Sequence, residues 1–76
     1  MSWSTDDVIA LVKHLGFTYA RTNPHLIYEK SGRPRHVSIP PGRKVLVAPT
    51  LASIFRQIGI TKREAEEIRK KGLDKR

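Results

Sequence analysis

His25 is the residue here whose setting could do chemistry. It lies in "RTNPHLIYEK", residues 21–30, after an Asn-Pro turn signal and before a short apolar–polar alternation. The basic run "SGRPRH" follows at once. Imidazole gives or takes a proton near neutral pH, and cations beside it stabilise developing negative charge. Together these groups suit work on a phosphodiester. Two plainer readings compete: a strand-end histidine making a local hydrogen bond, and a metal ligand.

Other chemistries are poorly supplied. The chain has no cysteine, which removes disulfides, thiolate zinc sites and a cysteine nucleophile together. His14, His25 and His36 are spaced by eleven and eleven residues, matching no helical pair of metal ligands. No carboxylate converges on them, so neither a metal nor any cofactor is expected. His14 reads as a dipole partner at a helix C-terminus, and His36 as a cross-strand neighbour of Glu29. Ser31, Ser38 and Ser53 lie in no nucleophile-elbow motif. The five glycines all fall at expected element ends, so there is no glycine-rich phosphate loop.

Fifteen Lys and Arg stand against seven Asp and Glu, a formal charge of +8 on 76 residues. Such a surface attracts polyanions by long-range steering and counterion release. RNA or DNA is the first candidate and an acidic protein the second. Arg21, Lys30, Arg33, Arg35, Arg43 and Lys44 are the cations placed to contact phosphates, which would orient a strand without reading its bases. The ordinary alternative for each is a solvated loop charge. No apolar run approaches the roughly 20 residues needed to span a bilayer, and "MSWSTDDV" opens acidic, unlike a secretory signal. A cytoplasmic protein is expected. At this length a single domain, residues 1–76, without a large internal cofactor cavity, is the natural expectation.

The elements that must position His25 follow from local pattern. Ser4 is a candidate N-cap with Asp7 three residues on, close to a capping box, and Trp3 with Val8 could form its hydrophobic staple. Val8, Leu11, Val12 and Leu15 then recur at helical spacing, and Gly16 ends the helix. Residues 17–22, 25–30 and 35–39 alternate as strands, separated by Asn23-Pro24 and by "SGRP". If Val37 and Ile39 face the helices, a symmetric hairpin pairs Tyr28 with Val37 and Leu26 with Ile39. His25, Ile27 and Glu29 then face away from the core. Pro40-Pro41-Gly42 stops the third strand, and "RKVLVA" reads as an extended loop. Thr50 is the expected cap of a second helix carrying Leu51, Ile54, Phe55 and Ile58. Thr61 and Glu64 form a second capping box, opening a charged third helix over about 62–71. Residues 72–76 read as a frayed tail. The fold class is α+β, in the order α-β-β-β-α, with helices on one face of a three-stranded antiparallel sheet and an extra C-terminal helix.

Four segments in this order are familiar. "DDVIALVKHLGFTYART", "NPHLIY", "RHVSIP" and "PTLASIFRQIGIT" together resemble the HicA-type toxins, small messenger-RNA interferases of toxin–antitoxin pairs, over about residues 4–61. The resemblance implies a fold similar to a double-stranded-RNA-binding domain. It also implies a metal-independent endoribonuclease acting on mRNA, with the catalytic histidine at His25, where "NPH" stands in place of the family's Gly-Ser-His. The partner it implies is a HicB-type antitoxin that shields that histidine and the basic surface. The free toxin is expected to be monomeric. RNA supplies its own nucleophile, the 2′-hydroxyl, so one positioned imidazole could suffice. Two alternatives stay open on the residues: a non-catalytic RNA-binding module of the same fold, and a basic adaptor for an acidic protein.

Overall fold

The computed structural model describes residues 2–33 and 35–72. Its order is α1 (Thr5–His14), β1 (Thr18–Thr22), β2 (Leu26–Glu29), β3 (Val37–Ile39), α2 (Ala48–Ile58) and α3 (Lys62–Lys70). The strands form one antiparallel sheet in the order β1-β2-β3. This is the expected α-β-β-β-α arrangement with an added C-terminal helix. Most of the tail expected at residues 72–76 lies outside the described residues, which end at Gly72.

The helix caps follow the side chains. Ser4 accepts from the Asp7 backbone N–H while the Asp7 carboxylate accepts from the Ser4 N–H, closing the expected capping box on α1. Thr61 and Glu64 do the same for α3. The start of α2 differs from the expectation. It begins at Ala48 after Val47, which makes no side-chain cap, and Thr50 already lies inside the helix. Pro49 explains this, because a residue with no N–H and a fixed φ fits the first turn, where the N–H would have no partner anyway. At its other end α2 stops at Gly59 with φ 92°, a left-handed conformation that a side chain disfavours.

Tyr28 lies opposite Val37 and Leu26 opposite Ile39, the register read from the alternation. Val37, Ile39 and Tyr28 are buried together with Val8, Leu11 and Val12 of α1 and Leu51, Ile54, Phe55 and Ile58 of α2. Ile27, expected on the open face, is also buried. It sits on the central strand with Arg21 and Ser38 as cross-strand neighbours, so it has cover from both sides even where no helix lies over it. An irregularity between Tyr19 and Arg21 interrupts the β1–β2 ladder, as bulges often do on edge strands.

The third helix is more than a solvated, salt-bridged rod. Trp3 is fully buried; its indole Nε1 donates to Glu66 Oε2 at 2.9 Å, and its ring lies under the Arg69 guanidinium, 4.7 Å from the centroid. Arg69 also donates to the Ser2 carbonyl at 2.6 Å and meets the Asp7 carboxylate at 3.4 Å. Residues 2–7 are thereby gripped by α3 on one side. On the other they hold the loop that leaves β3. The Leu46 N–H donates to the Trp3 carbonyl at 2.7 Å and the Thr5 N–H to the Arg43 carbonyl at 2.9 Å. The Thr5 hydroxyl donates to the Pro40 carbonyl at 2.8 Å and accepts from the Arg43 N–H at 2.9 Å.

Two measurements check this packing. Thr5→Val keeps the shape of a buried side chain and removes the hydroxyl. Leaving a buried polar group unpaired costs about 1–3 kcal/mol, and 1 kcal/mol shifts the melting temperature of a domain this size by about 4–8 °C. Thr5→Val should therefore melt at least ~4 °C below the wild type, and Thr5→Ser should fall closer to it. The second check is alkaline. Burial, and secondarily Tyr19, raise the Tyr28 pKa above its ordinary 10.0. The folded phenol then keeps its proton where the unfolded one has lost it, so this contribution is intact below pH 10 and is lost as pH rises through the folded value. In denaturant titrations Tyr28→Phe should lose less stability than the wild type on going from neutral pH to above pH 10.

Candidate functional site

His25 sits in the three-residue connection between Thr22 and Leu26, which pair across β1 and β2. The Asn23 N–H donates to the His25 carbonyl at 2.9 Å, closing a tight turn at the end of the β1–β2 hairpin. The strand begins one residue after His25, so strand alternation, which put it on the open face, does not govern its direction. The side chain is exposed. It stands between two depressions that share Pro40 and Thr50 as lining residues.

The first depression, about 320 Å³, is lined by His25, Pro40, Arg43, Val45, Leu46, Val47 and Thr50. Val45 and Val47 are 59% and 62% exposed, an apolar step beside the imidazole. The second, about 230 Å³, runs along α2 and is lined by His25, Ser38, Pro40, Thr50, Ser53, Ile54 and Gln57. No carboxylate lines either one. Arg43 is the charged residue that lines the first depression with His25, and the start of α2, which has no side-chain cap, adds the positive end of a helix dipole. Among the described residues no group of three His, Asp or Glu side chains is placed to hold a metal ion.

The six candidate cations do not gather around His25. Arg43 alone lines a depression with it, and Lys44 is its neighbour beside the start of α1. Lys30, Arg33 and Arg35 lie at the other end of β2, lining a separate depression with Glu29 and His36. That is roughly 15 Å from His25 at the ~3.4 Å rise of a strand residue. Arg33 is engaged internally: Nη1 donates to the Ile58 carbonyl at 2.9 Å and Nη2 to the Gln57 carbonyl at 3.3 Å. Its guanidinium lies 5.7 Å from the Phe17 ring centroid, and the Lys30 ammonium lies 5.8 Å from the same ring. Arg33 thus caps the C-terminus of α2, a role with no local sequence signal because its partners are 24 and 25 residues away. Arg21 pairs with Glu29 at 3.2 Å, both half-exposed. His14 and His36 are exposed and far from His25 in the fold order, on the last turn of α1 and just before β3.

Sequence reading missed the α2 side of the site. Thr50, Ser53 and Gln57 recur at helical spacing of three and four, a polar stripe alongside the apolar one, and that periodicity was the available signal. No helix among the described residues is long and apolar enough to cross a membrane.

Comparison with curated proteins and with solved structures gives no significant match. A protein-family model does match: it is described as the HicA toxin of bacterial toxin–antitoxin systems and covers residues 5–60. That segment runs from the first residue of α1 past the end of α2 and contains His25, the whole sheet and both depressions beside it. It is most of the chain, and on it the protein belongs to the family of HicA toxins, whose members have an antitoxin as partner.

Proposed function

We propose that this toxin is an endoribonuclease that cuts mRNA with His25 as its general acid or base, needs no metal, and is silenced by a HicB-type antitoxin. The observation that carries the reading is an exposed imidazole beside Arg43, in a groove without carboxylates, within a chain of the HicA family.

The chemistry is balanced by the RNA itself. The 2′-oxygen attacks the adjacent phosphorus, the bond to the 5′-oxygen breaks, and a 2′,3′-cyclic phosphate and a free 5′-hydroxyl result. One proton leaves the 2′-hydroxyl and one arrives at the 5′-oxygen. His25 handles one of these transfers and water the other. A positioned acid or base is worth typically ~10²–10⁴-fold. The Arg43 guanidinium would stabilise the extra negative charge of the phosphorane. Beside the single His25 imidazole the polar lining groups are hydroxyls, an amide and an arginine, which suit neutral and anionic ligands better than a divalent cation.

The remaining cations divide by distance. Lys44 would hold a phosphate near the cut, while Arg21, Lys30 and Arg35 would steady flanking phosphates further along the chain. Arg33 belongs to the same basic end but spends its donors on α2. The free toxin acts as a monomer in the cytoplasm. The antitoxin covers His25, and the exposed Val45 and Val47 give it apolar surface to bury there.

Cleavage of a purified RNA in EDTA tests the proposal. The wild type should give ends carrying 2′,3′-cyclic phosphate. His25→Ala should cut ~10²–10⁴-fold more slowly, with its melting temperature and antitoxin binding unchanged. Equal cleavage by His25→Ala, or loss of wild-type cleavage in EDTA, would contradict the reading. Intact RNA with salt-sensitive binding would instead mark an RNA-binding module, and neither cutting nor RNA binding would leave an adaptor for an acidic protein. The cations give a second test. Arg43→Ala should lower cleavage by at least about tenfold with little change in stability, since only its backbone is tied to Thr5. Arg33→Ala should lower the melting temperature by several degrees, as expected for the loss of hydrogen bonds from a charged group at about 1.5–3 kcal/mol, and change cleavage much less.

A further inference from the structure

Five polar side chains converge on the depression along α2, and none of their free groups has work to do inside the protein. His25, Ser38, Thr50, Ser53 and Gln57 all line it. Among the described residues, no hydrogen bond is made by the His25 ring, by the hydroxyls of Ser38, Thr50 and Ser53, or by Gln57 Nε2. Gln57 is the informative one. Its Oε1 accepts from the Ser38 backbone N–H at 2.9 Å, on the outer edge of β3. That bond fixes which end of the amide is which and covers part of an exposed strand edge. With one Oε1 lone pair held in that way, the amide is oriented and Gln57 presents its Nε2 donors at a fixed place. Pro40 and Ile54 add apolar walls. The volume, about 230 Å³, lies below the range typical of drug-sized ligand sites and suits one flat heterocycle.

We infer that this depression is a nucleobase subsite: it takes a single unstacked RNA base next to the phosphodiester at His25, and Gln57 Nε2, with the Thr50 and Ser53 hydroxyls, sets which base is preferred. The inference rests on the reading of His25 as the residue at the cut. Sequence-specific recognition of RNA works on splayed, single-stranded bases whose edges are open to hydrogen bonding. His25 borders both depressions, so a strand crossing it would place its phosphate towards Arg43 and a neighbouring base towards Gln57. The hydroxyls can donate or accept and adapt to any edge. The amide, pinned through Oε1, cannot flip without abandoning the Ser38 N–H, so it contributes the discriminating contact. Preference at one position therefore depends on Gln57, while overall affinity depends on the cations.

Gln57→Glu separates the two roles. A carboxylate still accepts from the Ser38 N–H, which preserves the local fold, but it has no donor to offer. The experiment treats a randomised RNA pool with the full chain and sequences both the cut ends and the uncut RNA retained by the protein. The wild type should favour particular bases at one position beside the cut. In Gln57→Glu the relative use of bases there should change by about 3–10-fold, the range of one hydrogen bond of ~0.5–1.5 kcal/mol, while other positions keep their profile. A general loss of affinity from the added negative charge cancels in these ratios. Ser53→Ala, on an exposed helix position, should give a smaller change at the same position and serves if Gln57→Glu fails to fold. A wild type with no base preference, or variants whose profiles superimpose on the wild type, would overturn the subsite. Should the wild type bind without cutting, the catalytic reading fails by itself. The base composition of the retained RNA then decides: a Gln57-dependent shift supports the subsite, and an unchanged composition overturns it.

Discussion

The Thr5 hydroxyl is the joint on which the site depends. It donates to the Pro40 carbonyl and accepts from the Arg43 N–H, so one buried oxygen closes the turn that leaves the sheet. The adjoining backbone bonds, Thr5 to Arg43 and Leu46 to Trp3, continue the seam. This loop has no regular structure of its own, yet it forms the Arg43 wall of the His25 groove. A loop that carries function needs a rigid support, and here the support is the first turn of α1. Trp3 extends it to α3 through Glu66 and Arg69. The third helix lies beyond the segment matched by the family and still bears on the site, because it grips the residues that grip the loop.

Charge on this protein does two different jobs. A sequence with a net +8 invites the view that every exposed cation faces a polyanion. Arg33 shows otherwise, since its donors end on α2 carbonyls, where a cation complements the negative end of the helix dipole. Arg69 is likewise committed to Asp7, Ser2 and the Trp3 ring. Arg21 is partly offset by Glu29. Arg43 differs, because its backbone anchors the loop while no hydrogen bond or ion pair of its guanidinium is found among the described residues, and the residue lines the groove. Position relative to the partner carbonyls, rather than residue type, separates a structural cation from one available to a ligand.

Much of the fold was legible because its signals are local. Both capping boxes lie within three residues, the strand register follows from Val37 and Ile39 having to reach the core, and Gly16 and Gly59 end their helices. Errors arose where a second local rule competed. Thr50 has the right side chain for a cap, but Pro49 suits a first turn better, so the helix starts earlier. The second strand starts at Leu26 rather than His25, because the Asn-Pro turn extends one residue further; His25 is exposed as expected, but through the turn and not through strand alternation. The site was half legible. The histidine and Arg43 stand out by type, whereas Gln57 and Ser53 acquire meaning only when α2 is seen beside the edge of β3. Contacts between residues 19 to 67 apart leave no pattern in a linear reading.

In the proposed function RNA lies across His25, between Arg43 and α2. The most direct measurement is the change in backbone amide NMR signals when isotopically labelled protein takes up a short RNA with 2′-O-methyl groups, which binds but lacks the nucleophile for cleavage. The largest shifts should fall at residues 25, 38, 43, 50, 53 and 57 and fade towards the β2–β3 loop. Shifts confined to that loop or to α3, with His25 and Gln57 unmoved, would contradict it.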